Sequence, residues 1–286
     1  MTDLQGDEGK ALEGLSESEV EKVAERKAGS AKVVHEVIRL QGDEELDRPL
    51  LSLLFSGFAA GVAISASILA EGFIELRLPD AQWAPLISGL GYSVGFVIVI
   101  MGNLQLFTEN TVTAVLPLAT HPTSRNVLRL LRLWSAVFVA NMAGTLLVAF
   151  LASHLVIVSA EQFGAMLALS QHALAKDGWA VFLLGMPAGF LVAAIAWILP
   201  NARGSEFWVI VLITYVIAIG GFSHVVAGSG EAWICWLAGK ATLAHATVGF
   251  ILPALLGNIV GGTGLFAVLA HGQVRAEITP ERSSKQ

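Results

Sequence analysis

The chain has 286 residues, 55% of them hydrophobic and only 14% charged, and its mean hydropathy is +0.68. Soluble domains carry roughly a quarter charged residues, so this composition excludes an ordinary water-soluble enzyme and points to a bilayer. The net charge of −6 leaves no electrostatic footprint for nucleic acid, and a single cysteine, Cys235, excludes an intrachain disulfide.

Residues 1–49 form a polar tail holding seven of the 17 Lys and Arg residues, with no apolar leader ahead of Leu50. Ser16-Glu-Ser-Glu19 reads as a capping box, and Val33, Val34, Val37 and Ile38 recur at helical spacing. The tail is therefore expected to contain a cytosolic amphipathic helix that packs on the domain or on a neighbouring subunit, the alternative being a gating or membrane-surface helix. Apolar runs follow at Leu50–Phe73, Leu86–Leu118, Trp134–Val158, Trp179–Leu199, Phe207–Leu237 and Thr247–Ala270. Measured against the roughly 20 residues that a spanning helix needs, they predict six crossings. The predicted organisation is a tail over 1–49, a six-span pore domain over 50–272 and a short cytoplasmic tail over 273–286.

Orientation follows from Lys and Arg near the span ends. With the N-terminus inside, the inner segments carry Lys32, Arg39, Arg48, Arg125, Arg129, Arg132, Arg203, Arg275, Arg282 and Lys285, against Arg77, Lys176 and Lys240 outside. Both termini are expected to be cytoplasmic.

The two halves echo each other. Gly57-Phe-Ala-Ala-Gly61 in the first span resembles Gly185-Met-Pro-Ala-Gly189 in the fourth, and Asn141-Met-Ala-Gly144 in the third resembles Asn258-Ile-Val-Gly261 in the sixth. Three spans per half make the second half enter from the opposite side, an inverted repeat. The small residues serve close helix approach, because lipid offers no hydrophobic drive for association; Gly261-Gly262 is read the same way.

Spans two and five occupy equivalent places and both are predicted to be broken. The first break, Gly102 to Asn110, contains Asn103, Gln105, Glu109 and Asn110, which cannot all face lipid. The second, Gly220 to Gly230, contains His224, the one histidine inside a break. Unwound backbone at membrane depth belongs inside protein or beside a water-filled cavity, and paired half-helices there form binding sites. No nucleophile–base pair and no metal-spaced His/Cys cluster stands out, so neither an enzyme nor a cofactor is expected.

Gln105-Leu-Phe-Thr-Glu-Asn110, Gly221-Phe-Ser-His224 and Gly257-Asn-Ile-Val-Gly-Gly262, in this order and spacing, resemble the formate/nitrite transporter family. The resemblance runs from about Leu50 to Gln273 and looks most like a bacterial inner-membrane branch. It implies an all-α, aquaporin-like membrane fold and a homopentamer with a pore in each protomer. It also implies passage of small monovalent weak-acid anions such as formate, nitrite, hydrosulfide, acetate or lactate. The family's central histidine falls on His224 and its hydrogen-bonding threonine on Thr108. Hydrophobic constrictions fall on Tyr92, Phe96, Leu106, Phe107 and Ile217, and the anion-attracting vestibule lysine on Lys176. The chain departs from the family where Gln105 replaces an acidic residue, where Glu109 follows the threonine, and where Gly228 and Gly189 replace asparagines. Glu109 is expected to bind backbone amides at a half-helix N-terminus, the alternative being a place in the pore where it repels anions. The expected function is a proton-linked anion channel or transporter. The alternatives are a neutral-solute channel, or a closed-pore scaffold or sensor acting through the tail.

Overall fold

The computed structural model describes residues 29–278, with side chains to residue 275, and every regular element among them is helical. The capping box at Ser16–Glu19 lies outside the described residues. Helix α1, Ala31–Asp47, begins at Ser30, whose Oγ accepts from the Val33 N–H. It buries Val34, His35, Ile38, Gly42 and Leu46, one stripe at helical spacing, against the rest of the domain.

Among the described residues, five helices are long and apolar enough to cross a membrane: α2, Leu50–Glu75; α3, Ala84–Met101; α5, Ser124–Ser153; α7, Gly178–Asn201; and α10, His245–Arg275. Between them lie α4, Val115–Thr120, and α6, Ala160–Leu174. The fifth apolar run is two shorter helices, α8, Glu206–Ile219, and α9, Val225–Leu237. The second run does not remain helical either. It stops at Met101, passes through a loop and a 3-10 turn at Glu109–Thr111, and resumes as α4.

Three boundaries differ from the sequence reading. Helix α5 starts at Ser124, well before Trp134, because Thr123 caps it and Arg129 and Arg132 find partners beneath α1. Arg129 pairs with Asp47 at 2.6 Å, and Arg132 donates to the carbonyls of Leu46 and Arg48. The sequence reading assigns no element to α6, although Ser159 and Gln162 form a reciprocal capping box that the sequence displays. The last helix runs past residue 272, where the polar tail was expected to start.

The core rests on two matching close approaches. Gly61 of α2 lies against the Asn141 carbonyl of α5, and Gly189 of α7 lies against the Asn258 carbonyl of α10, with no room for a Cβ at either place. Backbones that touch this closely supply the dispersion contacts that lipid does not compete for. Helix α10 contains two π-helical stretches, His245–Ile251 and Val260–Ala267. Gly261 and Gly262 sit in the second, packed on Met186 and Thr111, which is the packing role expected for them.

Candidate functional site

The site is built by the ends of α3 and α8. At the end of α3, Asn103 adopts a left-handed conformation (φ 50°), with its N–H on the Ile100 carbonyl and the Leu104 N–H on Val99. At the end of α8, Gly221 does the same (φ 59°), with its N–H on Ala218 and the Phe222 N–H on Ile217. These are two Schellman caps, and Gly and Asn are the residues that enter this region most cheaply. Asn103 therefore terminates a helix and is exposed.

Each loop is then held by one buried asparagine. Asn141 Oδ1 accepts from the Phe107 N–H (3.0 Å), while its Nδ2 donates to the carbonyls of Gly57 (2.7 Å) and Gln105 (2.9 Å). Asn258 Oδ1 accepts from the Val225 N–H (2.8 Å), while its Nδ2 donates to the carbonyls of Gly185 and Ser223, both at 2.9 Å. Both amides are fully buried; two bonds of each go to loop backbone that the helix breaks would otherwise leave unsatisfied, and the third ties the loop to a carbonyl of α2 or α7.

Thr108 and His224 bring the two loops together: Thr108 Oγ1 lies 2.8 Å from His224 Nε2, and both side chains are buried. His224 also caps α9, because its Nδ1 accepts from the Ala227 N–H at 3.2 Å. A ring nitrogen that accepts an amide N–H carries no proton, so the tautomer is Nε2–H, donating to Thr108. The threonine hydroxyl hydrogen is left available to a solute. Phe96 packs edge-on against the imidazole at 4.9 Å, with Tyr92 behind it at 5.1 Å.

A cavity of about 590 Å³ opens from His224 away from α1, toward the far end of α2. Tyr92, Ile217, His224 and Lys176 line it. The Lys176 ammonium donates to the Gly221 carbonyl at 3.0 Å, on the loop that carries the histidine. Phe96, Leu106 and Phe107 lie in the closed core beyond it. Phe107 turns its ring to Trp134 and Phe138. Gln105 Oε1 accepts from Asn110 Nδ2 at 3.0 Å, so these two polar side chains satisfy each other inside the first loop.

Glu109 corrects the sequence reading. The amides around it are already taken: Val112 and Thr113 donate to its own carbonyl, and Asn110 donates to Leu106. Its carboxylate instead lies near Glu45 of α1. Glu45 accepts from Thr113 Oγ1 at 3.1 Å, and burial raises its pKa above the usual carboxylate range, partly offset by hydrogen bonds from Thr113 and Gln105. A second contact of α1 is the 3.1 Å bond between His35 Nε2 and His271 Nδ1. Burial and the neighbouring His271 hold the His35 pKa below its ordinary value of 6.5.

Sequence reasoning missed Glu71, Glu75 and Glu231 on the cavity wall. The signal was available, since Glu71 and Glu231 stand inside apolar runs.

Two helix-end loops clamped by asparagines, joined by a Thr–His bond and opening on a cavity inside a bundle of spanning helices, define a membrane transporter. A profile of the formate/nitrite transporter family matches residues 32–272, and the chain belongs to that family. Inner membrane protein YfdC of Escherichia coli is 38% identical over 91% of this chain and 84% of its own length. Formate channel FocA of Haemophilus influenzae is 25% identical over 75% of this chain and 84% of its own length. Among solved structures, a pentameric formate channel with formate bound superposes with a TM-score of 0.67, 22% identity and coverage of 79% of this chain and 98% of that one. An FNT family ion channel gives 0.68, 20%, 87% and 97%. At these identities the two structures share the fold with this chain.

Proposed function

We propose that this chain forms a pore for small monovalent weak-acid anions of the formate, nitrite or hydrosulfide type, which cross as the neutral acid under the control of His224 and Thr108. The pore works in a homopentamer in a bacterial inner membrane, with both termini cytoplasmic. Its six spans are two inverted three-helix repeats, with the second and fifth discontinuous. The observation that carries this reading is the buried 2.8 Å contact between Thr108 and His224, which joins the two loops at the blind end of the cavity. The matched caps and the matched clamps at Asn141 and Asn258 support the repeat.

A bare ion entering the dry ring of Phe96, Leu106 and Phe107 pays a desolvation cost of order 20 kcal/mol in the idealised limit. Protonation of the anion removes most of that cost, and the Thr108 hydroxyl supplies a hydrogen bond in place of water. Lys176 serves as the positive charge that draws the anion into the vestibule. Tyr92 and Ile217 narrow the approach. Gln105 and Asn110 brace the first loop, and Glu109 faces the α1 side.

The test is stopped-flow uptake of formate, nitrite, hydrosulfide, acetate, lactate and one uncharged solute into proteoliposomes at two pH values. Weak-acid uptake that rises as external pH falls is expected; pH-independent flux of the uncharged solute alone would replace this reading with a neutral-solute channel. A second reading, a closed pore acting through the tail, draws on the seat of α1 against Thr113. Removal of residues 1–45 without loss of weak-acid flux argues against it.

A further inference from the structure

The cavity is unusual for one that admits anions. Its wall carries three carboxylates, Glu71 and Glu75 at the end of α2 and Glu231 on α9, against one lysine. Glu71 lies within electrostatic reach of both Glu75 and Glu231. Lys176 is near Glu231, but its ammonium is held by the Gly221 carbonyl. With all three carboxylates charged, the mouth would repel the anions it is to admit.

A second, independent feature marks the same wall. Ser223 is only 4% exposed, lines the cavity beside His224, and its Oγ has no hydrogen-bond partner among the described residues. Its backbone is pinned by Asn258 and by the Leu184 carbonyl. A buried hydroxyl left without a partner costs about 1–3 kcal/mol, which a bound solute recovers. Glu75 Oε2 is likewise buried and unpartnered among the described residues.

We propose that this cavity is a proton-loading station, in which Ser223 holds the incoming weak-acid anion by a hydrogen bond and Glu231, paired with Glu71, hands it a proton before it reaches His224. In that step the carboxyl O–H bond of Glu231 breaks and an O–H or S–H bond forms on the anion. The electron pair stays on Glu231 as carboxylate, and no group is oxidised or reduced. Lys176 steadies the new carboxylate, and water at the mouth returns the proton. The pair keeps the vestibule from carrying its full negative charge, so anion entry and proton loading are one event. The other titratable groups facing Glu231 are Tyr92 of α3, His172 of α6, Cys235 one turn along α9, and His224 at the floor. The assignment rests on the weak-acid reading above and adds the group that donates the proton.

Two measurements on the full-length chain in lipid test it separately from that reading. In formate uptake, Glu231→Gln is expected to slow the initial rate at neutral pH by on the order of 100-fold, the low end of what a positioned proton donor contributes. Acidic external buffer should restore much of it, because bulk water then supplies the acid; Glu231→Asp should retain a wild-type pH profile. Ser223→Ala should raise the half-saturating formate concentration more than it lowers the maximal rate. An unchanged rate and pH profile in Glu231→Gln would overturn the assignment. If wild type carries no weak acid at all, the proposed function fails instead, and infrared difference spectroscopy judges the station. Formate should then shift a carboxyl C=O band in wild type that is absent in Glu231→Gln, and in Glu71→Gln should the first variant not assemble. No formate-dependent carboxyl change in wild type would overturn it.

Discussion

At the residue scale, the site depends on a few side chains that replace missing backbone partners. Asn141→Leu should strip partners from the Phe107 N–H and the Gln105 carbonyl, and Asn258→Leu from the Val225 N–H and the Ser223 carbonyl. Each unsatisfied buried group costs about 1–3 kcal/mol, so each variant should lose several kcal/mol and show a clearly lower unfolding midpoint in detergent. The matched geometry predicts losses of similar size; a silent Asn141→Leu beside a crippled Asn258→Leu would contradict it. Thr108→Val should abolish most weak-acid flux while Thr108→Ser keeps it, because the hydroxyl, not the methyl, meets His224 Nε2. Comparing their flux at equal protein density checks this. His224 and Gln105 stood out in the sequence as polar groups inside apolar runs, whereas Thr108 was pointed to by the family resemblance. The bonds of Asn141 and Asn258 were not, since nothing in a linear pattern says which distant carbonyl an amide will meet. Glu109 was misread for a related reason: its local amides are consumed by the 3-10 turn, and no residue type announces that turn.

At the element scale, close packing and the seat of α1 are what can be broken. A methyl at Gly61 or Gly189 meets a carbonyl of the facing helix, so Gly61→Ala and Gly189→Ala should each cost about 1–3 kcal/mol, seen as a drop in thermal midpoint. Helix α1 is held by Arg132, the Arg129–Asp47 pair, Glu45 and the His35–His271 contact. His35 has a pKa below its ordinary 6.5 when docked, so the undocked state binds more protons on acidification. Its contribution to docking is full above the ordinary value and is lost as pH falls through the lowered one. The protection of α1 amides, taken relative to their intrinsic exchange rate at each pH, should therefore fall at acid pH, and His35→Gln should remove that His35-linked part of the pH dependence. Burial raises the Glu45 pKa, which works in the other direction: its contribution is present in acid and is lost as pH rises through the raised value, so Glu45→Gln should steepen the acid loosening. The amphipathic spacing from Val33 to Ile38 predicted a packing helix, and α1 packs. What it packs on was illegible, because the partners come from segments distant in sequence, among them Thr113, Arg129, Arg132 and His271.

At the scale of the whole molecule, many large apolar side chains remain exposed on one chain, including Leu51, Phe55, Leu128, Trp208 and Leu212. Lipid and, in the proposed pentamer, neighbouring protomers would take them. Native mass measurement in detergent should give five copies, and a stable monomer carrying full flux would contradict the assembly. The apolar runs made the class legible at once, whereas helix α6 and the N-terminal extension of α5 were hidden by mixed composition. The central claim is that solute and proton cross together past His224, and formate entry with a pH dye inside the liposomes tests it most directly. The account predicts luminal acidification in step with formate uptake, faster at lower external pH, and both lost in His224→Asn. Formate entry without acidification, or flux unchanged by that substitution, would contradict it.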